Sequence, residues 1–164
     1  GKVLSCDIYE HRLKLIKDGA DRLGLTNIET MLNDGSIYNA SIPKADKILC
    51  DVPCSGLGVI RKKPEIRYKK SDEVDKLGDL QYAILCVSSN YLKIGGELVY
   101  STCSLNPDEN EKIIEKFLSE HNDFESVKVL PELKRYNGET DYVTLMPHIH
   151  GCDGFFISKI KRIR

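Results

Sequence analysis

The order of its residue patterns predicts an α/β domain with a mostly parallel sheet and a C-terminal antiparallel hairpin. Two observations carry this. Short apolar runs of strand character alternate with longer runs at helical spacing, and the chain then closes on two β-like runs joined by a turn. The absence of any repeat, low-complexity tract or Pro/Ser-rich linker assigns all of residues 1–164 to one domain. In such sheets ligands sit at the carboxyl ends of the strands, so residues placed there are the first functional candidates.

Residues 2–7 are predicted to form a short buried strand. Residues 9–23 follow with Leu13, Ile16, Ala20 and Leu23 at helical spacing, and Gly24 is placed to end that helix. Residues 27–32 and 46–51 are two further strands, the latter stopped by Pro53, which cannot continue a ladder. A polar stretch leads to a helix over 73–92, with Leu77, Leu80, Ile84 and Val87 on one face. Gly95 and Gly96 turn the chain into a strand over 97–102. Pro107 then opens a helix whose first turn carries Asp108, Glu109 and Glu111, acids suited to the positive end of the dipole. Residues 124–130 form another strand. The runs 142–146 and 155–160, separated by Pro147 and Gly151-Cys152-Asp153-Gly154, form a hairpin at the sheet edge.

The chain has 164 residues, 41% hydrophobic and 30% charged, the balance of a globular domain rather than a disordered or fibrous one. No apolar run approaches the roughly 20 residues of a membrane span, and no secretory signal opens the chain. A cytoplasmic protein with no membrane partner is therefore expected. Its six cysteines (Cys6, Cys50, Cys54, Cys86, Cys103 and Cys152) are expected to be reduced, because the core is adequate without disulfides. No C-x-x-C pair occurs, so no metal is expected. Cys6, Cys50 and Cys86 sit in apolar runs as small buried hydrophobes.

Cys54 and Cys103 differ, since each follows a strand. Asp51-Val52-Pro53-Cys54-Ser55-Gly56 delivers an acid and then, past a proline, a thiol into the same crevice. Tyr100-Ser101-Thr102-Cys103-Ser104 brings a second thiol from the next strand. Two strand-end thiols beside an acid point to covalent chemistry through sulfur. A phosphatase loop is excluded by spacing, and His11, His121, His148 and His150 lie in helix or hairpin positions rather than at strand ends. His148 and His150 read as a surface pair. Asp7 and Asp34 end adjacent strands, where each serves as a helix cap or turn former and where one nucleotide could bridge both.

The net charge of −1, from 24 basic and 25 acidic residues, conceals a basic stretch from Arg61 through Lys62, Lys63 and Arg67 to Lys69 and Lys70. Beside the thiols it favours an anionic substrate, with Tyr68 available for stacking. Lys159, Lys161, Arg162 and Arg164 make the C-terminus basic, and Asp72, Glu73, Asp75 and Asp79 offset the total.

These motifs, with Leu105-Asn106-Pro107-Asp108-Glu109-Asn110-Glu111 after the second thiol and Gly151-Cys152-Asp153-Gly154-Phe155-Phe156 near the end, resemble the RNA 5-methylcytosine methyltransferases over essentially the whole chain. The details are most similar to the bacterial Sun (Fmu) branch, the 16S ribosomal RNA methyltransferase B group. The resemblance implies a Rossmann-like fold and S-adenosyl-L-methionine as methyl donor. It assigns Asp7 to the cofactor's ribose, Asp34 to its adenine, and Asp51 to the cofactor or base at the reacting centre. It implies Cys103 as nucleophile, Cys54 as the residue that frees the product, and Arg61, Lys62, Lys63 and Arg67 as contacts to RNA, most naturally 16S ribosomal RNA. A cysteine at position 54, where amino-methylating enzymes place an aromatic residue, argues for methylation of carbon. A transfer RNA cytosine-5 methyltransferase and a non-catalytic RNA-binding or assembly module are the alternatives.

The family's glycine-rich cofactor loop, with its strand and helix, has no counterpart after Gly1, and the chain starts without Met inside an apolar run. The expectation is a C-terminal portion of the catalytic domain, impaired in cofactor binding. The strand preceding it is expected between the Asp7 and Asp51 strands, leaving room for non-native strand pairing or self-association.

Overall fold

The computed structural model describes residues 1–68, 71–129 and 140–164, with side chains in the long central helix described from residue 76 onward. Lys69, Lys70 and Leu130, and the side chains of Asp72, Glu73 and Asp75, lie outside the described residues. The chain folds as two units, Gly1–Ile42 and Pro43–Arg164.

In the first unit, β1 (Val3–Asp7) and β2 (Ile28–Leu32) pair in parallel, Asp7 opposite Leu32, and α1 (Glu10–Arg22) makes the crossover between them. Parallel neighbours require such a crossover. Leu13 and Ile16 are half-buried on the inner face of α1 and Ala20 is buried. The helix ends at Leu23, and Gly24 takes the left-handed conformation, φ +67°, that a side chain would resist. The first strand is not buried as expected. Val3 and Cys6 are exposed within the described chain, because a single helix covers this two-stranded sheet.

The second unit is a five-stranded sheet in the order β3-β4-β7-β5, with β6 also on β7. Its strands are β3 (Ala45–Asp51), β4 (Leu92–Thr102), β5 (Phe124–Val127), β6 (Val143–Leu145) and β7 (Phe155–Arg162). Helices α2 (Ser71–Asn90) and α3 (Glu111–Glu120) pack on it, while α4 (Pro147–His150) is a single turn between β6 and β7. Leu85, Leu92, Leu98, Tyr100, Phe117 and Phe156 form the fully buried centre of the core.

Four sequence expectations change in detail here. The five-stranded sheet is mixed: β3 and β4 are parallel, but β7 runs antiparallel to β4, β5 and β6. The closing hairpin is an edge only through β6, which pairs with β7 alone; β7 itself lies between β4 and β5 and buries Phe156, Ser158 and Ile160 on one face. Leu92 does not continue α2; it starts β4 opposite Ala45, and pairing resumes at Lys47–Glu97, so two steps along β3 match five along β4. The surplus forms a bulge around Gly95, φ +80°. Finally, Pro107–Glu109 is a separate 3-10 turn, broken from α3 by the backbone of Asn110.

Candidate active site

The second unit brings the two strand-end thiols together. Asp51 ends β3 and Thr102 ends β4, and these strands pair in parallel with Asp51 opposite Ser101, so both segments leave the same edge of the sheet. The Sγ atoms of Cys54 and Cys103 lie 3.2 Å apart. Burial, then the contact with Cys103, pushes the Cys54 thiol up to about 12, so at neutral pH it keeps its proton. Asp51 is exposed, and one carboxylate oxygen accepts a hydrogen bond from Ser101 Oγ at 3.0 Å. Cys50, one residue earlier, is buried with its thiol likewise raised to about 12 by desolvation, which makes it a packing residue.

A buried carboxylate joins the two segments that carry the thiols. Glu109 was expected at the dipole end of a helix; it is 1% exposed and turned inward. Its Oε2 accepts from the Ser55 backbone N–H at 2.7 Å and from Gln81 Nε2 at 3.0 Å. Its Oε1 accepts from Ser55 Oγ at 2.5 Å and Ser104 Oγ at 2.8 Å. Gln81 also donates to the Pro53 carbonyl at 2.9 Å. The next residue, Asn110, donates to the Ser104 carbonyl at 3.0 Å and accepts from Thr102 Oγ1 at 2.6 Å. Tyr100 O–H donates to the Glu109 carbonyl at 2.7 Å, fixing the turn from below. The serines directly after each cysteine were the available signal for this network.

The closing segment locks both loops. Gly58 N–H donates to the Cys103 carbonyl at 2.9 Å, and Gly154 N–H donates to the Gly58 carbonyl at 2.8 Å. Of the basic residues, Arg61, Lys63 and Arg67 are exposed, and Lys62 pairs with Asp153 of the closing turn at 2.5 Å. Ile66, buried in the 3-10 turn Pro64–Tyr68, anchors this stretch, while Tyr68 is 86% exposed. The remaining histidines serve locally: His150 Nδ1 accepts from the Met146 N–H at 2.8 Å, and His121 stacks on Phe117 at 4.2 Å between centroids. Among the described residues no three His, Cys, Asp or Glu side chains gather as a metal site, and no helix is long and apolar enough to cross a membrane.

In the first unit, Asp7 and Asp34 stand at the carboxyl ends of paired strands. Asp7 Oδ1 accepts from the Tyr9 N–H at 2.9 Å, and its other oxygen lies 3.5 Å from Arg12. Asp34 Oδ1 accepts from the Ser36 hydroxyl at 2.6 Å and the Ser36 N–H at 2.9 Å, which hold its carboxyl below the usual range. Leu32, Asn33, Asp34, Ile37 and Tyr38 line a cavity of about 530 Å³ beside it. Its lining joins apolar side chains to the amides of Asn33 and Asn39 and the carboxyl of Asp34.

The 16S rRNA methyltransferase RsmB/F family matches residues 1–161. The probable ribosomal RNA small subunit methyltransferase B of Bacillus subtilis is 42% identical over 99% of this chain, which spans 38% of that protein. The ribosomal RNA small subunit methyltransferase F of Klebsiella pneumoniae is 32% identical over 99% of the chain, which spans 35% of it. Among solved structures, NSun6 from Pyrococcus horikoshii with SFG superposes with a TM-score of 0.85 at 28% identity, over the whole of this chain and 42% of that one.

Proposed function

The chain belongs to the 16S rRNA methyltransferase RsmB/F family and has the Rossmann-like α/β fold of S-adenosylmethionine-dependent methyltransferases, and from that premise we propose that it carries the reacting groups for methylation of cytosine C5 in 16S ribosomal RNA. The observation that carries this reading is the pair of strand-end thiols 3.2 Å apart beside a strand-end acid. S-adenosyl-L-methionine supplies an electrophilic methyl group when bound, and Asp7 and Asp34 are the residues assigned to its ribose and adenine.

Cytosine C5 is too weak a nucleophile to take a methyl from a sulfonium unaided. Addition of the Cys103 thiolate to C6 makes an enamine whose C5 is reactive. A hydrogen bond at N3 of the base, the side assigned to Asp51, stabilises charge as the adduct forms. After transfer a base, solvent in the simplest case, takes the C5 proton and the C6–S bond breaks. Cys54 is the thiol assigned to donate to the departing sulfur, and its Sγ, 3.2 Å from that of Cys103, supports the assignment. Arg61, Lys62, Lys63 and Arg67 neutralise RNA phosphates. The setting in which ribosomal RNA is met is the cytoplasm.

Bisulfite mapping of total RNA from cells with and without the gene tests this. One 16S cytosine should lose its protection in the deletion and regain it on complementation. An unchanged 16S map sinks the reading, and a lost signal in transfer RNA instead replaces its substrate. A second measurement addresses the cofactor. Asp7→Asn keeps an oxygen for the Tyr9 N–H but gives up the charge that two ribose hydroxyls would share. Its affinity for S-adenosyl-L-methionine by calorimetry should fall about tenfold or more, since hydrogen bonds to charged groups contribute about 1.5–3 kcal/mol. Affinity equal to that of the parent would remove Asp7 from the site.

A further inference from the structure

We propose that Glu109 is the positioning residue that sets the Cys54 and Cys103 thiols against each other; the inference rests on reading that pair as the reacting thiols. The residue directly after each cysteine is bound to the same carboxylate, Ser55 through its backbone N–H and hydroxyl and Ser104 through its hydroxyl. The two hydroxyls also meet each other at 2.9 Å. A donating peptide N–H at Ser55 fixes the plane of the Cys54–Ser55 peptide, and with it the direction of the Cys54 side chain. On the other loop, Ser104 and Thr102 flank Cys103, and both are held by the 109–110 pair.

The chemistry of the side chain supports a role beyond packing. A buried carboxylate is costly to desolvate, and among the described residues Glu109 pairs with no cation. It takes its hydrogen bonds from neutral donors on three separate segments: the Cys54 loop, the Cys103 loop and α2. Four donors converging on two carboxylate oxygens are a geometry an amide cannot reproduce, because one of its two atoms must itself donate. Glu109 touches neither sulfur; it acts through the serines.

The test uses the full chain with Cys6 and Cys152 replaced by serine, comparing Glu109, Glu109→Gln and Glu109→Ala, with Glu111→Gln as a control on α3. The first readout is equilibrium with glutathione disulfide. Two protein thiols and one glutathione disulfide give one Cys54–Cys103 disulfide and two glutathiones, and the equilibrium constant reports how well the thiols are held together. It should fall about tenfold or more in Glu109→Gln while the control is unchanged, as expected when a shift of about 1 Å suffices to cost a reaction on the order of a hundredfold. The second readout is methyl transfer, where kcat should fall with KM for RNA and methyl donor unchanged. Equal exchange constants in a folded Glu109→Gln protein would overturn the proposal, as would an exchange loss fully restored by a stabilising co-solvent. If exchange falls in Glu109→Gln but kcat for methyl transfer by the intact protein does not, positioning of the thiols stands and their reading as the reacting pair fails.

Discussion

Cys103→Ser is expected to abolish both the covalent RNA adduct and the methylated product, lowering kcat by at least about 10³-fold, whereas Cys54→Ser should form the adduct and stall with it. The two thiols sit 3.2 Å apart, so proximity alone does not separate their roles. The assignment comes from the proposed function, in which Cys103 attacks and Cys54 helps the sulfur depart. Desolvation and the contact with its neighbour, which push the Cys54 thiol up to about 12, accord with a thiol that donates. Trapping on RNA containing 5-azacytidine, where nitrogen at position 5 blocks the elimination, gives a band that survives denaturation. Wild type and Cys54→Ser should show it and Cys103→Ser should not. On ordinary RNA the adduct should persist in Cys54→Ser alone, with about one methyl transferred per enzyme. A Cys103→Ser protein that still traps RNA would reverse the assignment.

The positions of Asp51, Cys54 and Cys103 were legible because strand ends announce themselves locally: an apolar run stops and a turn former follows. Adjacency of the two segments also followed, since consecutive strands joined by a helix pair in parallel. What decides Glu109 is not local. Its hydrogen-bond partners at Ser55 and Gln81 lie 54 and 28 residues away in the chain, and its own neighbours Pro107, Asp108 and Glu111 describe an ordinary helix start. Only the 3-10 turn, which rotates residue 109 away from the face of α3, takes the carboxylate inside. The interior place of β7 was hidden for a related reason. Alternation at Phe156, Ser158 and Ile160 specifies a buried face but says nothing of how many edges are paired. Leu92 extends the apolar spacing of α2, and pairing with Ala45 outweighs that spacing.

Gly58→Ala should destabilise the protein by about 3 kcal/mol or more and take the methyl-transfer activity with it. The reason is steric rather than conformational. A Cβ built on Gly58 would lie 2.1 Å from the Gly154 carbonyl oxygen and 2.8 Å from that of Cys103. Neither atom can swing aside, because both are backbone and both carbonyl-bearing segments are hydrogen-bonded to or beside Gly58 itself. Overpacking of a tight interior costs about 1–3 kcal/mol when side chains can yield, and more when they cannot. At roughly 2–4 °C per kcal/mol for a chain of this size, the melting temperature should fall by about 6–12 °C. Relief must come from moving the Cys103 loop or the closing turn, so the thiol pair is displaced whichever gives way. Gly19→Ala supplies the opposite case. It sits inside α1 with open space around its Cα, so a methyl group there should raise stability by about 0.5–1 kcal/mol through helix propensity. A Gly58→Ala protein that melts with wild type and keeps its thiol-exchange constant would show that the three loops are not locked at Gly58.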